Sequence, residues 1–274
     1  MTWRLLNFQN DNIFENMAID EAVFQETIKN NQQPTIRFYA STPAAVSIGY
    51  FQDAHKELNI EKCRREKIDI TRRITGGKAV FHFNEITYSI AAGKDEKIFP
   101  ADIMGTYKII SQCIARGLND IGIRSDLAPD GRRDIKKGLN PCCFLSPSRY
   151  ELLVNGRKIC GSAQVKKRGG FLQHGLLLMS FNPEKTAAFL MPEGEPGRVE
   201  ELKRSVTSIQ EELGFSIDER KVCSGIQKGF VEELGIDLQE DGLTPSEEKL
   251  KEKLIKKYGD DHWNLERKKY FMAA

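Results

Sequence analysis

Residues 149–182 read RYELLVNGRKICGSAQVKKRGGFLQHGLLLMSFN, and this run decides the fold. Arg149 to Val154 alternates as a strand does. Asn155-Gly156 follows, the strongest short hairpin signal available, because both positions of the turn it favours need positive φ. Arg157 to Val165 is then the returning strand. Lys166-Lys167-Arg168-Gly169-Gly170 makes a second turn, and Phe171 to Phe181 an otherwise apolar third strand.

Working outward, residues 14–30 carry Met17, Ala18, Val23 and Phe24 with acids between, the pattern of an amphipathic helix. Strand-like runs follow at Thr35 to Tyr39, Ala45 to Ile48, Asp69 to Arg73, Ala79 to Phe83 and Ile86 to Ala91. Residues 101–121 are predicted as a helix with Tyr107, Ile110, Ile114 and Leu118 on one stripe. The polar stretch from Ile123 to Pro141 is expected to be an exposed loop with at most a weak strand. Beyond residue 183 helical patterns dominate, at 198–213, 218–234 and 246–258, the last opened by a Thr244-Pro245-Ser246-Glu247 capping box. The expectation is an α+β fold: a mixed β-sheet core flanked by helices over residues 1–182, and a helical C-terminal part over 183–274 packed onto it.

A chain of 274 residues buries about three quarters of its unfolded surface and needs no disulfide or metal for stability. The formal charge of +2 gives no general attraction to nucleic acid. No stretch approaches the roughly 18 apolar residues of a membrane span, and the first residues lack the apolar core of a signal peptide. A cytoplasmic protein is expected, monomeric, bound to neither membrane nor nucleic acid. Six cysteines make no C-x-x-C pair and no zinc spacing. Cys63, Cys113 and Cys223 fall in helix-like patterns and read as small apolar filler. Cys142 and Cys143 differ, because they follow Asn140-Pro141 in a loop-like segment.

Three constellations bear chemistry. In Arg72-Arg73-Ile74-Thr75-Gly76-Gly77-Lys78-Ala79-Val80-Phe81-His82, two glycines between strands leave backbone N–H groups bare toward a ligand. A tight turn with a solvated strand end explains the same residues, and the pattern is not a Walker loop. In Gly156-Arg157-Lys158-Ile159-Cys160-Gly161-Ser162-Ala163-Gln164, strand alternation puts Lys158 on one face with Cys160, Ser162 and Gln164. An edge-strand lysine that discourages sheet pairing is, by pattern alone, the stronger account of Lys158. In Gln173-His174-Gly175, a lone histidine is usually structural, and Gly175 marks a close backbone approach. The basic runs Lys166-Lys167-Arg168 and Arg132-Arg133-Asp134-Ile135-Lys136-Lys137 are solvated turns or a landing site for an acidic partner.

Taken together the segments resemble the biotin/lipoate protein ligase superfamily. The resemblance is carried by Arg37-Phe38-Tyr39, Ser47-Ile48-Gly49-Tyr50-Phe51-Gln52, Arg72-Arg73-x-Thr75-Gly76-Gly77, His82, Thr87-Tyr88-Ser89, Gly156-x-Lys158-Ile159-x-Gly161-Ser162-Ala163-Gln164 and Gln173-His174-Gly175. Within it, Cys143-Phe144-x-x-Pro147-Ser148-x-Tyr150-Glu151-Leu152 and Trp263-Asn264 are similar to the Gram-positive octanoyltransferases that load the glycine cleavage H protein. The resemblance implies an acyltransferase in which octanoyl–acyl carrier protein acylates Cys143 and a lysine of a lipoyl domain takes the chain as an amide. Lys158 is then the electrostatic partner of the thiolate. Arg72, Gly76, Gly77, His82, Gly161, Ser162, Ala163 and His174 become the expected substrate-binding residues, with Val80, Ile159 and Leu172 as candidates for the acyl slot. Transfer from thioester to amide is downhill, so no cofactor, metal or ATP is expected.

Two departures bear on the alternatives. Phe83 follows His82 where the superfamily often has Asp, and Lys78 takes the third position of the glycine cluster. Both speak against an ATP-dependent lipoate–protein ligase. An amidotransferase that moves octanoyl from the H protein would use the same covalent chemistry, and a non-catalytic lipoyl-binding protein would keep the fold with an inert Cys143. Adjacent residues point apart, so at most one of Cys142 and Cys143 faces Lys158, and the Cys-Phe-x-x-Pro-Ser pattern favours Cys143.

Overall fold

The structure, a computed structural model, describes residues 1–128, 149–190 and 197–267. Strand β1 (Thr2–Asp11) leads into helix α1 (Ile13–Asn30), which starts where the Asn12 side chain accepts the Glu15 N–H at 2.9 Å. Next come β2 (Thr35–Ser41) and β3 (Ala45–Ile48). Two short helices, α2 (Ala54–Glu57) and α3 (Ile60–Arg65), lead to β4 (Asp69–Arg72), β5 (Val80–His82) and β6 (Glu85–Gly93). Helix α4 (Ile103–Asp120) is capped by Asp102. Then follow β7 (Asp126–Leu127), β8 (Leu152–Val154), β9 (Arg157–Lys158), β10 (Cys160–Lys167) and β11 (Gly170–Leu178). The rest is α5 (Pro183–Leu190), α6 (Arg198–Ser205), α7 (Ile209–Leu213), α8 (Glu219–Leu234), β12 (Asp237–Glu240), α9 (Pro245–Tyr258) and α10 (Asp261–Asn264).

The main sheet is mixed, as expected, with strand order β10-β11-β6-β2-β1-β12. Its first four strands pair antiparallel, whereas β1 pairs parallel with both β2 and β12. Smaller sheets run β4-β3-β5 and β7-β8-β9. Asn155 and Gly156 take φ of 50° and 79° at the β8–β9 hairpin, as the dipeptide predicts. The returning strand does not run straight. It leaves the small sheet after Lys158 and joins the main sheet at Cys160, so Ile159 is the corner residue.

Antiparallel partners put their side chains on the same face. Ala163, His174 and Ser89 therefore share the face under α1, and Ser162, Gly175 and Tyr88 share the other, under α4. Helices α4 and α8 cover that second face and cross with their backbones touching. A Cβ on Gly229 would lie 2.3 Å from the Cys113 carbonyl oxygen, and one on Gly117 would lie 2.5 Å from the Ile226 Cα. On the first face α1 lies beneath α9, so it is covered from two sides. Its acids are consequently not all solvated: Asp20 and Glu21 are buried, with Glu21 taking hydrogen bonds from Lys257 and Tyr258, both at 2.6 Å.

The described residues after 182 do not form a separate layer. Helix α8 packs on α4, α9 on α1 and α10 on β4, and β12 extends the main sheet beside β1. Among the described residues, no helix is long and apolar enough to cross a membrane.

Candidate active site

Strand β11 brings His174 to the face of the sheet under α1. There its Nδ1 meets the Asp20 carboxylate at 3.2 Å and its Nε2 meets the Thr75 hydroxyl at 2.7 Å. Asp20 also accepts from the Arg37 guanidinium at 3.1 Å and the Tyr39 hydroxyl at 2.8 Å. A second chain runs parallel in chemistry. His82 Nδ1 meets Glu85 at 3.0 Å, and its Nε2 meets the Ser47 hydroxyl at 2.7 Å. A carboxylate only accepts, so each Nδ1 carries a proton and donates to its carboxylate.

Both chains end on Arg73. Its Nε donates to the Thr75 hydroxyl, one terminal nitrogen to the Ser47 carbonyl and hydroxyl, and the other to the carbonyls of Gly76 and Lys78, over 2.7–3.4 Å. The guanidinium thus fixes the glycine turn and both hydroxyls. Burial and the electrostatics of this nest act together. Burial alone would raise the Asp20 carboxyl, but the hydrogen bond from His174 and the Arg37 charge outweigh it and hold Asp20 below the usual carboxylate range. Burial pushes the His174 imidazole down, against the pull of Asp20, which favours the neutral ring.

A small cavity of about 30 Å³, open on one side to solvent, lies against this nest. Met17, Tyr39, Val80 and Leu176 supply apolar wall, and Gly161, Ser162, Ala163 and Gly175 keep the side by β10 shallow. Ser47, Arg73, His82, His174 and Thr87 complete it, and the Thr87 hydroxyl has no partner among the described residues. Gly77, at φ 87°, sits directly over β10: a Cβ there would touch the Ala163 Cβ at 3.3 Å. Gly49 lets the turn come that close, since a Cβ on it would overlap the Gly77 carbonyl.

Of the expected substrate-binding residues, His82, Gly161, Ser162, Ala163 and His174 line one cavity, and Gly76 and Gly77 form the turn beside it. Arg72 is a correction. Adjacent strand residues point apart, and its guanidinium turns away to the carbonyls of Trp263, Gly49, Tyr50 and Gln52 at 2.7–3.1 Å. It latches α10 and the loop after β3, and Arg73 faces the cavity instead. Val80 is on the cavity wall, but Ile159 and Leu172 are not: Ile159 is core beneath α4 and α8, and Leu172 is core beneath α1. Met17, Tyr39 and Leu176 take their place.

Lys158 lies on the other side of β10, buried, with its Nζ 2.7 Å from Glu151. Cys160 Sγ is 3.7 Å from the Ser162 hydroxyl, which in turn meets the Tyr88 hydroxyl at 2.7 Å. Cys142 and Cys143 lie outside the described residues, as does the basic run 132–137. Burial pushes the Cys63 thiol up to about 11, Cys223 to about 12 and Cys113 higher still, so all three are protonated at neutral pH. The sequence did not single out Asp20 or Glu85; Arg73 and Thr87 stood in the quoted motifs, and Tyr107 on a helix stripe, without a role of their own. Thr75 and Ser47 stood in the quoted motifs without a role.

The catalytic-domain model of the lipoyl protein ligase A/B family matches residues 12–231. The chain belongs to that family. Among curated members, the octanoyltransferase LipM of Clostridioides difficile is 38% identical over 97% of this chain and 99% of its own. The octanoyltransferase LipM of Staphylococcus aureus is 33% identical over 96% and 98%. Among solved structures of the lipoyl protein ligase A/B type, a lipoate-protein ligase A bound with ATP aligns at a TM-score of 0.80, with 26% identity over 97% of this chain and 99% of that one. The bipartite lipoate protein ligase of Thermoplasma acidophilum aligns at 0.81 with 24% identity, a likeness of fold.

Proposed function

We propose that the chain is an octanoyltransferase of protein lipoylation that works through a thioester on Cys143. The single observation that carries this is the identity, above 30% over nearly the full length, to curated octanoyltransferases. The geometry supports it: an apolar-walled cavity lies against β10, and a buried lysine ends β9, two residues before that strand begins. In the proposed reaction the Cys143 thiolate attacks the carbonyl carbon of octanoyl–acyl carrier protein. The new C–S bond forms as the old one breaks, and the departing carrier thiolate takes up the proton that Cys143 lost. The ε-amine of a lysine on a lipoyl domain, that of the glycine cleavage H protein, then attacks the acyl-enzyme. A C–N bond replaces the C–S bond, and the amine proton returns to Cys143.

A free cysteine has a pKa near 8.5, so only a few per cent is thiolate at neutral pH. A cation alongside favours the thiolate, and a preference of about 1.4 kcal/mol raises the ratio of thiolate to thiol tenfold; Lys158 has that role here. Developing charge on the thioester oxygen needs donors. Strand β10 is the edge of its sheet, so every second amide in 161–163 points away from β11 and is open to that task. The Gly76-Gly77 turn offers more. The ligase reading keeps one supporting observation, the fold shared with an ATP-bound relative.

Intact-mass measurement after incubation with octanoyl–acyl carrier protein separates these readings. Wild type and Cys142→Ser gain one octanoyl mass and Cys143→Ser gains none. Ligation of lipoate by Cys143→Ser with ATP would overturn the transferase reading, and acylation from octanoyl-H protein alone would make the enzyme an amidotransferase.

A further inference from the structure

Tyr150 is a bulky residue at φ 66°, a conformation that costs strain and is kept where the surroundings enforce it. What the strain achieves is visible one residue on. The backbone is held on both sides against Ala128, with the Tyr150 N–H donating to the Ala128 carbonyl at 3.1 Å and the Ala128 N–H to the Glu151 carbonyl at 2.7 Å. The Tyr150 ring is half-buried, with the Arg149 guanidinium 4.6 Å and the Lys108 ammonium 5.8 Å from its centre. Glu151 is thereby turned inward, 3% exposed, onto Lys158, which is 1% exposed. Lys158 is itself pinned: its carbonyl accepts from the Thr207 N–H at 3.0 Å, and the β8–β9 hairpin holds its other side.

Among the described residues, the titratable groups that face this pair include Tyr107 from α4, Cys160 from β10 and, beyond Ser162, Tyr88 from β6. Burial, with the charges around them, pushes both phenols up, so they face the pair as neutral hydrogen-bonding groups. The Tyr88 hydroxyl meets the Ser162 hydroxyl at 2.7 Å, which ties the pair's surroundings to the strand that walls the acyl cavity.

We propose that Glu151 is the positioning residue that keeps Lys158 an ammonium throughout the transfer cycle, so that the lysine acts by charge and never accepts a proton. Burial by itself favours a neutral amine. A carboxylate at 2.7 Å favours the ammonium and fixes where it points. The proton balance of the reaction agrees, because the thiol proton leaves on the carrier thiolate and the amine proton returns to the cysteine. Neither step needs the lysine as a base. A lysine without its counter-ion would instead be neutral over part of the working pH range, and its help to a thiolate or an oxyanion would disappear as it deprotonated. The inference rests on the octanoyltransferase reading and on Lys158 as its cation.

The test is the pH dependence of octanoyl transfer from octanoyl–acyl carrier protein to a lipoyl domain, with the full chain, for wild type, Glu151→Gln and Glu151→Asp. Wild type is measured first: no transfer there sinks the functional reading and leaves no reaction for Glu151 to serve. With transfer established, Glu151→Gln is expected to lower kcat about tenfold or more at neutral pH with KM for the carrier changed by less than about twofold. Its alkaline limb should move toward acid by at least about 1 on the pH scale, and Glu151→Asp should restore most of that limb. A merely structural carboxylate would lower kcat or stability and leave the limb where it is, so an unmoved limb overturns the proposal. If Glu151→Gln is inactive or unfolded, the Nζ nitrogen resonance of Lys158 in wild type, assigned with Lys158→Arg, decides. An ammonium signal up to a pH of about 9 is expected, and a neutral amine at a pH of about 8 overturns the proposal.

Discussion

Gly175→Ala places one methyl group where the sheet has no room for it. The added Cβ would lie 2.4 Å from the Ser162 Oγ, 2.4 Å from the Tyr88 Cε1 and 2.8 Å from its Cζ. To reach ordinary contact the ring must retreat by about 1 Å. Tyr88 is fully buried, and its hydroxyl shares hydrogen bonds with Ser162 at 2.7 Å and with Gln173 at 2.9 Å. A shift of that size takes both bonds toward the limit of useful length. Overpacking costs about 1–3 kcal/mol and each weakened buried hydrogen bond about 1 kcal/mol, set against a gain of about 0.5 kcal/mol from the stiffer unfolded chain. The expected loss is about 3 kcal/mol, or a Tm lower by roughly 6–12 °C, read by calorimetry. The same retreat disturbs the wall beside Ser162, so KM for the acyl donor should rise as Tm falls. Gly76→Ala is the control: no atom lies within 4 Å of its added Cβ, and its Tm should stay within about 2 °C. A Gly175→Ala protein with parental Tm and KM would refute the packing argument.

Acid lability follows from the nest under α1. His174 is held below its ordinary range, so the unfolded chain protonates first as pH falls below about 6.5. Asp20, held below its ordinary value, adds the same sign at lower pH, because the stability it contributes is lost as pH falls through its folded value. Urea midpoints should therefore fall between pH of about 7 and 5, and His174→Gln should flatten that slope. A midpoint constant over this range contradicts the buried neutral imidazole. Arg72→Gln removes donors from four carbonyls that hold α10 and the loop after β3. It should cost about 3 kcal/mol and open the C-terminal helix to proteolysis while leaving KM within about twofold; a large rise in KM with normal Tm would return Arg72 to substrate binding.

Where the structure was legible in the sequence, the signal was local. Asn155-Gly156 specifies its hairpin from two residues, because positive φ at both is a property of those residues and not of their neighbours. Ala45–Ile48 reads as a strand over the same four residues that form it. Strand β12 was not legible. Asp-Leu-Gln-Glu carries no strand pattern, and becomes a strand only because β1 offers it an unpaired edge. The acids of α1 misled for a related reason. Alternation of acid and apolar residues implies one wet face, but α9 covers that side, so Asp20 and Glu21 are buried against partners from distant elements.

The site divides in the same way. His82 and His174 could be picked out as unusual residues, yet the chain's local pattern does not announce that each sits between a carboxylate and a hydroxyl: Asp20 is 154 residues from His174, and although Glu85 is three from His82, Ser47 is 35 away. The choice between Arg72 and Arg73 also lies beyond the chain's local pattern. Strand alternation says only that they diverge, and the packing of α10 on β4 decides which of them is left to face the cavity. In β10, by contrast, alternation does the sorting by itself. Ala163 stands with His174 on the cavity face, and Ser162 meets Tyr88 across Gly175 on the other. One run of small residues thus serves the two sides of the sheet at once. A bulky residue at 161 or 163 would fill the cavity, and one at 162 or 175 would displace Tyr88 from the shared hydroxyl, so the spacing of the motif is a requirement of both faces rather than of either alone.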